Sequence, residues 1–213
     1  MTIKIESPKI PAGLPDITPS EFTIESEDCM SMGVISDCTI DQQAAHKVSF
    51  ERIIFRNVVF TEIAWTELEL TDVIFEKCDL SNMNFIGSNI HRTEFKNCKM
   101  IGIDFTNATL RNIKFTNCFG DYASFRFANF KQLVFKECSL CSADFYGSVF
   151  VKVDFQRCSI DRAQFSSVKL EGIDLSDCEF TELGVDIAGL KGCTIAREQA
   201  SVFVNMFGLI IKE

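Results

Sequence analysis

From Phe50 to Ile195 the chain sets a large apolar residue on every fifth position without a shift of frame. The run opens Phe50, Phe55, Phe60, Trp65, Leu70, Phe75, Leu80, Phe85, Ile90 and Phe95, and it continues in step to Leu190 and Ile195. Gly120 is the single departure. A second, usually smaller apolar residue stands two positions before each centre, as at Val58, Val73, Cys78, Ile103 and Ala108. A period of five fits neither the helical 3.6 nor the 2 of a strand. The backbone must take another path, and repetition at a fixed short period points to a solenoid.

If each pentad is one side of a square coil, four pentads make a turn and residues 20 apart stack in one column. The sequence carries that longer period too. Phe55, Phe75, Phe95, Phe115, Phe135 and Phe155 form one column, and Phe85, Phe105, Phe125, Phe145 and Phe165 form another, headed by Trp65. Cysteine recurs at Cys78, Cys98, Cys118, Cys138, Cys158 and Cys178, with Cys38 in the same frame. A plain five-residue period would not confine cysteine to every fourth pentad.

Several pentads, among them Cys138-Ser139-Leu140, Ala143-Asp144-Phe145, Val153-Asp154-Phe155, Ile173-Asp174-Leu175 and Ala128-Asn129-Phe130, share one pattern. It is a small residue, then Asp or Asn, then Leu or Phe. This resembles the pentapeptide-repeat family over about three quarters of the chain. The resemblance implies an all-β fold, a right-handed quadrilateral parallel β-helix whose centres and preceding small residues point inward. Coils would pair as strands about 4.8 Å apart, so residues 36–195 would give about eight coils and a rod roughly 38 Å long. Three segments are expected: an extended N-terminal leader over 1–21, the β-helix over 22–195, and a capping and dimerisation segment over 196–213.

Composition agrees with a filled interior. Phenylalanine is over-used, at 21 residues against 2 tyrosines, as suits stacked rings with no room for a hydroxyl partner. No apolar stretch is long enough for a transmembrane helix. The beginning of the chain lacks a basic segment followed by an apolar run, so no secretory signal is expected. Most of the ten cysteines fall in inward slots, where a free thiol packs as a small apolar group. Cys141 falls outward and Cys29 precedes the regular coils, and exposed free thiols suit a reducing cytoplasm. No cofactor and no metal are expected, since no Cys-x-x-Cys pair or nearby histidine builds a tetrahedral site.

The ends differ from the middle. Residues 1–20 hold all four prolines and no period, and read as an extended, mobile leader. Between Phe22 and Ile40 the pattern is imperfect, as in an N-terminal cap. After Ile195 the spacing predicts a short helix over 196–207 with Ala200, Phe203, Val204 and Phe207 on one face. Gly208 would end it, and Leu209, Ile210 and Ile211 would follow as a strand. This closing module resembles the C-termini of the Qnr quinolone-resistance proteins and of the mycobacterial fluoroquinolone-resistance protein. That resemblance implies a two-fold homodimer through Ala200, Phe203, Val204, Phe207, Leu209 and Ile211.

Catalysis is not expected. His46 and His91 lie in different coils without a nucleophile at motif spacing, and no phosphate loop is present. Asp and Asn recur before the centres (Asp79, Asn84, Asn89, Asp104, Asn129, Asp144, Asp154, Asp174), where short polar side chains brace turns. Function is expected on the outside. The net charge of −9 divides as −5 over residues 1–40, zero over 41–140 and −4 over 141–213. One face carries Glu62, Asp79, Asp121, Asp161, Glu179 and Glu182 against Lys99 and Arg162, and its neighbour carries Glu67, Asp104, Asp144 and Asp186 against Arg126. A third face is basic, with Arg92, Arg111, Lys131, Lys152, Lys169 and Lys191 against Glu69, Asp72 and Glu171.

The best understood members of the resembled group mimic duplex DNA in width and charge and bind type IIA topoisomerases such as DNA gyrase. The resemblance therefore implies a cytoplasmic partner protein for topoisomerase IV or gyrase subunits, modulating the enzyme or conferring quinolone resistance, with the acidic residues above as the docking faces. The unbroken frame looks like the loopless mycobacterial type rather than the loop-bearing Qnr proteins. A generic protein-binding scaffold, with charge serving solubility, is the rival reading. Nucleic-acid binding by the basic face is not expected of an acidic chain without an aromatic stacking platform. Gly120 reads as a kink, or as a local void filled by Phe119 or Tyr122.

Overall fold

The computed structural model describes residues 3–18, 24–204, 206 and 209–210. The coil is square because one residue in five turns a corner. From Glu27 to Gly172 every fifth residue, two after each centre, has φ between 45° and 78°. Left-handed backbone costs an L-residue roughly 1–2 kcal/mol, which is why Asn, Asp and Gly fill many corners. Between corners the short extended sides alternate inward and outward, placing the centre and the residue two before it inside.

Among the described residues nine strands form: β1 (Cys29–Asp41), β2 (Ala44–His46), β3 (Ser49–Thr61), β4 (Ala64–Thr66), β5 (Glu69–Glu76), β6 (Asn89–Lys96), β7 (Thr109–Thr116), β8 (Asn129–Lys136) and β9 (Val149–Gln156). Seven of them make one parallel sheet in the order β1-β3-β5-β6-β7-β8-β9, and β2 pairs with β4. Every pairing is offset by 20 residues, as in Phe55↔Phe75 and Phe75↔Phe95. Segment 29–41 thus stacks in register on the coil that follows, since Ile35 and Ile40 align with Phe55 and Phe60.

The seven strands of that sheet enclose six rises, fewer than the eight coils expected. The difference lies near the C-terminal end. There single bridges such as Gln164↔Gly184 and Asp174↔Thr194 keep the 20-residue rise without forming strands. Left-handed corners stop at Gly172 and return only at Gly192, and a 3-10 turn at Ile187–Leu190 replaces one of them. Gly189 sits so close to the coil below that a Cβ there would lie 2.4 Å from the Val168 carbonyl.

Inside, two phenylalanine columns stack. Phe75, Phe95, Phe115 and Phe135 follow one another at centroid distances of 5.0, 4.7 and 4.8 Å with rings within 12° of parallel. Phe105, Phe125, Phe145 and Phe165 stack at 5.1, 4.9 and 4.9 Å. The columns meet edge to face, as at Phe125 and Phe135, the geometry aromatic quadrupoles favour. The thiols stand in single file on their own side. Cys78, Cys98 and Cys118 each donate to the carbonyl 23 residues back, at 3.4 Å. Burial pushes the Cys178 thiol up to about 12, so it stays protonated as a packing group.

Gly120 breaks neither ladder nor core. Its N–H donates to the Ser139 carbonyl at 2.7 Å. Leu140 fills the missing side chain's space, its Cδ2 lying 3.1 Å from where a Cβ would be. Phe119 and Tyr122 point outward instead of filling a void, contrary to the expectation above.

At the C-terminal end a 3-10 turn (Arg197–Gln199) leads into α1 (Ala200–Val204). Gln199 locks this lid. Its side-chain oxygen accepts the Ala196 N–H at 2.8 Å, and its amide donates to the Leu175 and Cys178 carbonyls at 2.9 and 2.7 Å. Phe203 is buried edge-on against Phe180. Among the described residues the 3-10 turn and α1 run over 197–204, inside the expected 196–207, and residues 209 and 210 carry no strand assignment. Phe207, Gly208 and Ile211 lie outside the described residues.

Candidate functional site

The N-terminal segment is where the structure departs most from the sequence reading. Residues 3–18 are extended, but in place of a free tether they form a strap laid across the coils. Asp16 bridges Val34, with Ile17 N–H on the Val34 carbonyl at 2.7 Å. Further along, the Lys9 N–H donates to Asp72 Oδ1 at 2.9 Å, the Glu6 N–H to Asn112 Oδ1 at 3.2 Å, and Gln132 Nε2 to the Lys4 carbonyl at 3.2 Å. The strap thus climbs one corner column, Asp72–Arg92–Asn112–Gln132, at right angles to the strands. Its half-buried residues are Ile3, Ile5, Pro8, Ile10, Leu14 and Ile17, with mostly polar neighbours facing out.

Beneath it Asp72 is only 1% exposed and holds Arg92 through two bonds, of 2.6 and 2.8 Å. The Arg92 guanidinium keeps the Asp72 carboxyl below the usual carboxylate range against the opposing effect of burial. Sequence reasoning missed this docking. One signal was available: outward positions beside that corner hold Ile54, Ile74 and Val134, which a solvated face would not favour. The basic face is consequently occupied along one edge by the chain's own N-terminal segment, leaving less of it open to an outside partner.

A cavity of about 700 Å³ lies where the strap ends, between Ile3, Lys4, Lys152, Glu171 and Asp174. Its polar lining includes Ser176 beside Asp174, with the Ser176 N–H donating to Asp174 Oδ1 at 2.9 Å. No cluster of three or more metal-ligating side chains occurs among the described residues, and no helix there is long and apolar enough to cross a membrane.

The acidic faces come together as two adjoining sides of the coil. Their carboxylates are braced by the turns. Asp79, Asp104 and Asp144 each accept the N–H two residues on, at 3.0, 2.8 and 2.8 Å. Asp121 accepts from the Ser139 hydroxyl and the Cys141 N–H. Asp161 takes the Thr181 hydroxyl and N–H, both at 2.7 Å, and these bonds hold its carboxyl below the usual range. Asp186 accepts the Ser167 N–H at 2.6 Å. The counter-charges are spent locally, Lys99 on Asp79, Arg126 on Asp144 and Arg162 on Asp161. Glu67 lies 3.7 Å from His46, while Glu62, Glu179 and Glu182 are exposed.

Of the expected dimerisation residues, Phe203 is consumed within the protomer, Val204 is half-buried and Ala200 is exposed. Leu209 is exposed, as is Ile210 beside it.

Residues 48–118 and 88–165 match the family model described as pentapeptide repeat region, which together takes in more than half the chain. Among solved structures, the chain is similar to QnrB1, a plasmid-mediated fluoroquinolone resistance protein, at 22% identity over 88% of this chain and 91% of that one, with a TM-score of 0.42. It is similar to HetL, a pentapeptide repeat protein involved in heterocyst differentiation regulation from the cyanobacterium Nostoc sp. strain PCC 7120, at 13% identity over 81% and 91%, TM-score 0.38. A pentapeptide repeat protein of the Arabidopsis thaliana thylakoid lumen matches at 24% identity over 44% and 62%, TM-score 0.25. No curated protein is significantly similar in sequence.

Proposed function

Because the chain belongs to the pentapeptide-repeat family, we propose that it is a non-enzymatic, cytoplasmic protein that docks on a type IIA topoisomerase, gyrase or topoisomerase IV, in the place of duplex DNA. The observation that carries this reading is the braced carboxylate array. Asp104 and Asp144 share a column two rungs apart, about 10 Å at the strand spacing, and Asp121 and Asp161 repeat that interval on the adjoining side. Carboxylates fixed by backbone N–H groups are preorganised, so docking on a positive surface costs little side-chain ordering. Modulation of the enzyme, or protection against quinolones, would follow from competition with DNA.

Purified chain at micromolar concentration is expected to inhibit supercoiling by gyrase. Asp104→Asn and Asp121→Asn together should weaken inhibition tenfold or more, because asparagine keeps the turn bonds while removing the charge, and neither carboxylate is paired with a basic side chain among the described residues. A wild-type chain that neither inhibits nor protects against a quinolone rejects the proposal and leaves the generic scaffold.

The same proposal includes a homodimer through the C-terminal end, supported by the exposed Leu209 and Ile210. Sedimentation velocity should show a dimer for the wild type and a monomer for Leu209→Asp with Ile210→Asp. A monomeric wild type at tens of micromolar would remove dimerisation from the reading.

A further inference from the structure

Phenylalanine is a core residue almost everywhere in this chain, yet one coil turns three rings outward. Phe119, Tyr122 and Phe127 are 61%, 67% and 47% exposed. Tyr122 and Phe127 occupy consecutive corners, with φ of 60° and 56°. Left-handed backbone suits Gly, Asn or Asp and is a costly place for a bulky ring. Other coils keep rings off these columns. The column of Tyr122 holds Glu62, Asn82, Gly102, Ser142 and Arg162, and that of Phe127 holds Glu67, Gly87, Asn107, Gly147 and Ser167. Neither ring joins the core cluster. Strain kept where packing gains nothing points to a functional role.

The Phe127 ring is also held in place. It lies over Gly147, where a Cβ would come within 2.8 Å of it, and meets the half-buried Tyr146 ring edge-on at 5.5 Å. The Arg126 guanidinium sits 4.7 Å from the Tyr146 centroid and 5.6 Å from that of Phe127, tied to Asp144 at 2.7 Å. Asp121 directly precedes Tyr122, and Asp104 bridges Ser124 of the same coil. Fixed aromatic rings ringed by charge have the composition of an interface hot spot.

We propose that Phe119, Tyr122, Phe127 and Tyr146 form a docking patch for a protein segment bearing arginine or lysine. Its cations would lie over the rings and against the Asp104 and Asp121 carboxylates. The same carboxylates repel phosphate, so the rings do not serve as a nucleic-acid stacking platform. The inference deepens the topoisomerase reading and rests on it only for the identity of the partner.

The test replaces Phe119→Ser, Tyr122→Asn and Phe127→Asn together, residue types that the same columns use in other coils, so the fold is retained. A nine-arginine peptide is titrated at physiological salt while tyrosine-ring NMR signals are followed. Tyr122 and Tyr146 are the chain's two tyrosines, so their rings report this patch alone. The expected result is saturable shifts in the wild type and at least tenfold weaker binding by the triple variant. Equal affinity, or shifts caused instead by a single-stranded DNA oligonucleotide, overturns the inference. Gyrase inhibition separates the two claims. A triple variant that inhibits as well as the wild type overturns the patch and leaves the topoisomerase reading standing. A wild type that discriminates in the peptide titration without inhibiting gyrase sinks the topoisomerase reading and leaves the patch with another cationic partner.

Discussion

Replacing Phe125 by alanine should lower the stability of the rod by about 3–5 kcal/mol, the range for a buried phenylalanine cut to a methyl. The ring is fully buried. It stacks on Phe105 at 5.1 Å and Phe145 at 4.9 Å, and presents edges to Phe115, Phe130 and Phe135. Neighbouring coils are clamped by the same rings, so the cavity cannot close without shifting two ladders. Each coil is stabilised chiefly by its neighbours, and damage in the middle of the stack therefore weakens both halves. Urea unfolding followed by circular dichroism measures the loss. Phe127→Asn, two residues away but on the surface, serves as the control and should cause no comparable loss, since asparagine suits the left-handed corner that Phe127 occupies. A loss below about 1 kcal/mol for Phe125→Ala would mean that the stacked column is not a continuous core.

The second large effect concerns the strap. Asp72→Asn leaves Arg92 without its carboxylate and should cost about 3 kcal/mol, the low end for breaking a buried pair because Arg92 keeps some contact with water. The effect has a pH signature. Arg92 depresses the carboxyl's pKa in the folded state, whereas the unfolded chain titrates near the ordinary value of about 3.9. A depressed carboxyl contributes stability that is fully present above the unfolded value and is lost as pH falls through the folded one. Wild type and variant should therefore differ most near pH 7, and the gap should narrow progressively as pH falls from about 5 to about 2. A gap that stays constant down to that pH would assign the loss to the Lys9 contact or to packing rather than to the ion pair.

How much of this was legible beforehand depends on whether a feature repeats. The inward positions were readable because each coil offers the same environment to its centre residue, so Phe75, Phe95 and Phe115 report one physical demand three times over. The cysteine file was readable for the same reason. The bracing role of Asp79, Asp104 and Asp144 followed from the chemistry of a short carboxylate beside a turn. The coil count and the C-terminal segment were read less well. Regular corners end at Gly172, and Phe203 packs inward on Phe180. Both depend on how the last coil is closed, which happens once in the molecule and leaves no repeating trace.

Sequence alone determined the square coil, its 20-residue rise and which side chains fill it, because a core built by stacking imposes the same residue type at a fixed interval. The tertiary structure decided what lies on the outside. The strap reaches its corner column through contacts 63, 106 and 128 residues apart, and the outward rings gather only because the winding sets Tyr146 one turn above Arg126 and Phe127. The strap contacts obey no period. They arise where chain segments distant in sequence are brought within a few ångströms by the coil, and only the folded geometry specifies which segments those are.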